Sequence, residues 1–80
     1  MALASTPPGS GPRKRSLTIA GHRTSISLED SFWDALKEVA DRQRRSVPEI
    51  VAEIDSKRGT TGLSSAIRAF VLEAYRGRGP

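Results

Sequence analysis

Arg23, Ser25 and Ser27 alternate with Thr24, Ile26 and Leu28 along one short stretch. In an extended chain the first three share one face and the second three the other. An arginine fork can bond guanine O6 and N7 together, and hydroxyls pair with several base edges. A two-stranded ribbon carrying such a face fits a B-DNA major groove, roughly 12 Å wide. Arginine and serine are also common on ordinary solvated strands. This face alone therefore leaves both readings open. A second candidate is the run Arg44-Arg45-Ser46-Val47-Pro48-Glu49. Ser46 and Glu49 have capping-box spacing, which predicts a helix opening there. Its first N–H groups and positive dipole end suit a phosphate, with Arg44, Arg45, Ser46 and Val47 as the contacts. Glu49 competes with any such anion. Arg13, Lys14 and Arg15 form a third candidate, a basic arm along phosphates or a solubilising segment.

Other polar residues carry less. His22 is the one histidine, with no nucleophile or carboxylate paired to it by motif. The acids Asp30, Asp34, Glu38 and Asp41 suit a helix start and i,i+4 pairing with Lys37 and Arg42. The chain has no cysteine, which excludes disulfides and thiolate metal sites. A single histidine builds no zinc site. With no acid–base pair, glycine-rich phosphate loop or metal-ligand cluster, the expectation is no enzyme, no catalytic residue, no metal and no cofactor. No small-molecule effector is evident.

The elements that position these residues follow from periodicity. Leu17 and Ile19 alternate with Ser16, Thr18 and Ala20, so residues 16–20 are extended too. The apolar parity changes from odd to even between the two stretches, which predicts a bulge or turn at Gly21–His22. Phe32, Leu36, Val39 and Ala40 make one stripe of a helix over residues 29–44. Trp33 beside them reads as core or interface. Val47, Ile50, Val51 and Ile54 line a second helix from Ser46, with Gly59 as its stop. Leu63, Ile67, Phe70, Val71 and Ala74 line a third, roughly over residues 64–76. Residues 1–12, rich in Pro, Gly, Ser and Thr, read as a disordered tail, residues 13–76 as the domain and 77–80 as a second loose end.

With 80 residues, the chain supports one small and marginal domain. Without disulfides or metal, oligomerisation is the remaining staple. The net charge of +4 concentrates in residues 13–23, beside an acidic stretch at 29–41, which fits an oriented polyanion contact. No apolar run reaches membrane-span length, and the first residues lack a signal-peptide pattern, so no membrane partner and a cytoplasmic location are expected. A lone amphipathic strand leaves backbone groups unpaired. It pairs either with residues 16–20 as a hairpin or with its twin in a second chain, antiparallel about a two-fold axis. The expectation adopted is the twin, with residues 24 to 28 at the pairing.

Arg23-Thr24-Ser25-Ile26-Ser27-Leu28, an acid-start helix and Ser46-Val47 opening a second helix resemble the ribbon-helix-helix family of DNA-binding repressors, of the Arc and methionine repressor kind. The stretch from Lys14 to Arg76 is similar to small bacterial ribbon-helix-helix domain proteins, notably in residues 15–25 and 63–68. The resemblance implies a mainly α fold with one short β-ribbon, β-α-α plus a third C-terminal helix, as an intertwined homodimer. It implies double-stranded DNA as the partner and transcriptional repression as the role. Arg23, Ser25 and Ser27 would touch bases, and the start of the second helix would touch phosphates. Ile26, Leu28, Phe32, Trp33, Leu36, Ile50, Ile54, Ile67 and Phe70 would form the dimer core. The short repressors lack the Arg15–Gly21 extension and often the third helix. Many have glycine in the inter-helix turn where this chain has Gln43, Arg44 and Arg45. A protein-interaction module, antitoxin-like or a dimeric scaffold, is the alternative.

Overall fold

Residues 11–77 are described by the structure, a computed structural model. Strand β1 (Arg13–Ile19) and strand β2 (His22–Leu28) form an antiparallel hairpin. Ala20 and Gly21, with φ of 50° and 84°, make its two-residue turn. Positive φ at both central positions matches the twist of the flanking strands, and Gly21 adopts it without a Cβ penalty. The register pairs Leu17 with Thr24 and Arg15 with Ile26, so paired residue numbers always sum to an odd number. Directly opposite residues share a face. The parity change in the sequence is thus what keeps one apolar face across both strands, and no bulge is involved.

Three helices follow: α1 (Asp30–Gln43), α2 (Val47–Lys57) and α3 (Leu63–Arg76). Helix α1 ends at Arg44 in the left-handed conformation (φ 56°), whose N–H returns to Asp41 O at 3.1 Å. Arginine here takes the backbone shape usually left to glycine. Helix α2 opens with the expected capping box: Glu49 N–H donates to Ser46 Oγ at 3.2 Å and Ser46 N–H to Glu49 Oε1 at 2.8 Å. It stops before Gly59, whose φ is 60°. Surface pairs run along α1 as anticipated, Lys37–Asp34 at 3.6 Å and Arg42–Glu38 at 3.9 Å.

The inner face of the hairpin closes on the helices. Ile19, Ile26 and Leu28 are buried with Leu36, Val39, Ile50, Val51, Ile54, Ile67 and Val71. Phe32, Trp33 and Phe70 are half-buried against this cluster. Two expectations bear on this core. Strand β2 takes β1 of its own chain as a partner, the hairpin of the two pairings weighed. The residues assigned to a dimer core, Ile26, Leu28, Leu36, Ile50, Ile54 and Ile67, are buried within one chain. The physical reason is the tight Ala20–Gly21 turn, which brings a second strand to β2 at little loop entropy. Three helices then cover the shared apolar face. The expected loose ends at 1–12 and 77–80 fall almost wholly on residues 1–10 and 78–80, which lie outside the described ones. No helix among the described residues is long and apolar enough to cross a membrane.

Helix α3 ties the joint between hairpin and helices at two points one turn apart. Ser27 N–H donates to Ser64 Oγ at 3.2 Å. Arg68 grips the Glu29 carboxylate with both Nε (2.8 Å) and Nη2 (3.1 Å). The Arg68 hydrogen bonds, first of all, hold the Glu29 carboxyl below the usual glutamate range. A carboxyl lowered in the folded state binds fewer protons than in the unfolded chain, so its stabilisation is present at neutral pH. It is lost as pH falls from the ordinary glutamate range through the depressed folded value. The expected result is a melting temperature that drops on acidification. Glu29→Gln is expected to start lower at pH 7 and to fall less steeply, because Glu49 and Glu53 remain to titrate in the same direction. Thermal melts between pH 7 and 3 check this, and equal acid slopes for the two proteins would refute it.

Candidate nucleic-acid interface

The register assigns the outer face of the hairpin residue by residue. Lys14 lies opposite Ser27, Ser16 opposite Ser25, and Thr18 opposite Arg23. Arg23, Ser25, Lys14, Ser16 and Thr18 are exposed, and Ser27 is half-buried. No acidic side chain belongs to this face. The Arg23 and Ser25 side chains take no hydrogen-bond or ionic partner among the described residues. Thus the three residues singled out as base contacts stand in one row on an open ribbon.

The nearest acids in sequence are occupied on the other side. Glu29 is held by Arg68, and Asp30 accepts from Arg15 Nη2 at 2.9 Å, with Arg13 Nε 3.6 Å away. These contacts depend on strand parity: Arg13 and Arg15 pair with Leu28 and Ile26 on the inner face. Arg15 also lies over the Trp33 ring, 4.7 Å from its centroid. Its Nε is buried without a hydrogen-bond partner. Of the basic run Arg13-Lys14-Arg15, Lys14 alone joins the outer face. Arg13 and Arg15 thus pair with Asp30 on the inner side, which the run's composition did not reveal.

The start of α2 is more occupied than its sequence implied. Glu49 fills the capping position, with its carboxyl held below the usual range chiefly by the Ser46 N–H. Arg45 reaches Glu53 at 2.6 Å. Arg44 is exposed, and Val47 is half-buried at the first position of the helix. His22 is exposed at the first position of β2, facing the same side as Ile19. Ser16 and Thr18 join the outer face although the sequence reading assigned them no role. Their alternation with Leu17 and Ile19 was visible, but their neighbours across the ribbon depend on the hairpin register.

Against this geometry, residues 12–75 match the family described as ribbon-helix-helix domain. The chain belongs to that family. Ribbon-helix-helix domains are typically non-enzymatic DNA-binding or regulatory modules, and they generally form dimers. The match spans the hairpin and nearly all of α3, so the third helix is part of this ribbon-helix-helix domain. No curated protein and no solved structure matches the chain.

Proposed function

We propose that the chain is a homodimeric, sequence-specific double-stranded DNA-binding protein that represses transcription, with the outer face of its hairpin in the major groove. One observation carries this reading: Arg23 and Ser25 stand exposed, without a side-chain partner among the described residues, on an acid-free two-stranded ribbon. Such a ribbon has groove width, and its side chains have base-edge chemistry. Ser27, half-buried, contributes at the rim. Lys14 and Arg44 bind phosphates, with Ser46, Val47 and Arg45 at the start of α2 as a weaker site behind Glu49. Arg15 is left out of the phosphate set because Asp30 and Trp33 hold it, and Arg13 contributes only in part. A cytoplasmic location goes with this role.

The test is affinity for duplexes of differing sequence across 50–200 mM salt. Neutralising Z phosphates gives a log–log slope near −0.9Z. Specific duplexes are expected to bind more tightly than random ones at every salt. Absence of binding at low salt, or equal affinity for all sequences, would defeat the proposal.

The homodimer needs a surface outside the closed core. Leu72 on α3 is 52% exposed, the one large hydrophobic side chain so placed among the described residues. It borders an apolar groove of about 280 Å³ with Phe32, Ala35, Val71 and Tyr75, between α1 and α3. A second copy is the occupant we assign, because domains of this family dimerise. Leu72→Glu is expected to shift the sedimenting mass from two chains toward one. An unchanged dimer would place the contact elsewhere. A different protein bound there at one-to-one stoichiometry would favour the interaction-module reading.

A further inference from the structure

We infer that Arg68 of α3 masks the Glu29 carboxylate at the end of β2, so that the outer face of the hairpin approaches phosphates without a free negative charge beside it. The inference rests on the DNA-binding reading above and adds to it a role for the third helix. It starts from the backbone. Arg23, Ser25 and Ser27 occupy alternate positions of β2, on the side away from Ile26 and Leu28. Glu29 follows with φ of −63° and ψ of 150°, still extended, so the alternation runs one step further and adds Glu29 to that row. A row of one cation and two hydroxyls thus ends on an acid. The Arg68 hydrogen bonds, first of all, hold its carboxyl below the usual glutamate range, so the negative charge is present at neutral pH.

Arg68 meets this acid with two hydrogen bonds, Nε to Oε1 at 2.8 Å and Nη2 to Oε2 at 3.1 Å. Two parallel bonds fix the orientation of the carboxylate as well as its charge. Arg68 is itself placed by its surroundings. Its guanidinium carbon lies 6.0 Å from the centroid of the Phe32 ring, and one turn earlier Ser64 Oγ accepts from the Ser27 N–H. Both side chains of the pair are 30% exposed, so a bound polyanion feels the charge of either one. The next acid, Asp30, is paired from β1 by Arg15 at 2.9 Å and Arg13 at 3.6 Å. The two acids that follow the ribbon are therefore both paired, one from each neighbouring element.

Such a pair has two separable effects. It joins α3 to the start of α1, which contributes stability. It also cancels a charge two residues from Ser27, at the rim of the ribbon. An uncancelled charge there acts on a polyanion over the screening length, about 10 Å at 0.1 M salt. The two effects predict opposite results for Glu29→Gln. Losing the carboxylate weakens the tie, so this variant melts lower, as expected above. It also frees the Arg68 charge for the phosphates, so the variant binds DNA more tightly. A purely structural tie predicts that stability and affinity fall together.

The experiment measures the affinity of the full chain for one short mixed-sequence duplex across about 50–200 mM salt. Wild type, Glu29→Gln, Arg68→Met and the double variant are compared, and thermal melts confirm that each is folded at the assay temperature. The pair carries no net charge in wild type or the double variant, one negative charge in Arg68→Met and one positive charge in Glu29→Gln. At the lowest salt Arg68→Met is expected to bind about threefold or more weakly than wild type, and Glu29→Gln about threefold or more tightly. The double variant lacks both the tie and the charge, and is expected to return to within about twofold of wild type. These differences are expected to shrink at the highest salt. If Arg68→Met does not fold, Glu29→Gln decides alone. Binding by Glu29→Gln no tighter than wild type, or a double variant as weak as Arg68→Met, would overturn this inference and leave the DNA-binding function standing. A wild-type chain with no affinity for the duplex at low salt would overturn both.

Discussion

Leu28→Ala is expected to destabilise the fold by about 2–5 kcal/mol, the range for deleting a buried leucine side chain and leaving a cavity. Leu28 has no exposed surface. It is the last residue of β2, directly before Glu29, which Arg68 grips from α3. The surrounding backbone is therefore held by a strand register on one side and a bidentate ion pair on the other. It has little freedom to collapse into the space left behind. Domains have about 0.05–0.15 kcal/mol of stability per residue, so the expected loss is a large part of the whole. A two-stranded hairpin has marginal stability alone, and losing this anchor should release the ribbon with the core. Urea unfolding of wild type and variant checks the prediction. A loss below about 1 kcal/mol would show that Leu28 is not sealed by the fold.

Arg23→Ala is expected to weaken binding to the preferred duplex by about 1–3 kcal/mol, and to relax preference at one or two base positions. The side chain is exposed and has no partner among the described residues, so its removal should leave the melting temperature nearly unchanged. Lys14→Ala is the contrast, expected to weaken all duplexes alike and to lower the salt slope. Arg23→Lys separates charge from geometry. Lysine keeps the positive charge but not the planar fork, so it should restore general affinity without the discrimination. Competition binding at fixed salt distinguishes these outcomes. Unaltered discrimination in Arg23→Ala would remove the ribbon from the mechanism.

Local interactions explain why much of the architecture was legible. The stripes at 32, 36, 39 and 40, at 47, 50, 51 and 54, and at 63, 67, 70 and 71 each became a helix. Ser46 and Glu49 met as their spacing required. The alternation of residues 23–28 sent Ile26 and Leu28 inward and Arg23 and Ser25 outward. All of these depend on side-chain periods of two or 3.6 and on contacts within a turn.

Pairings across the fold were not legible in this way. Arg13 and Arg15 sit in a basic run, yet the odd-sum register turns them to the inner side, where Asp30 and Trp33 receive them. Nothing local to Ser64 and Arg68 marks them as the ties to Ser27 and Glu29, 37 and 39 residues away.

By itself, the sequence determined the strand and helix periods, the cap of α2 and the alternating polar face of β2. These follow from backbone geometry and neighbours a few residues apart. Tertiary structure alone decided that β1 is the partner of β2, that Ser16 and Thr18 share the outer face, and that one chain closes its own core. Those outcomes depend on which distant surfaces can bury the same apolar face together, and no single segment contains that information.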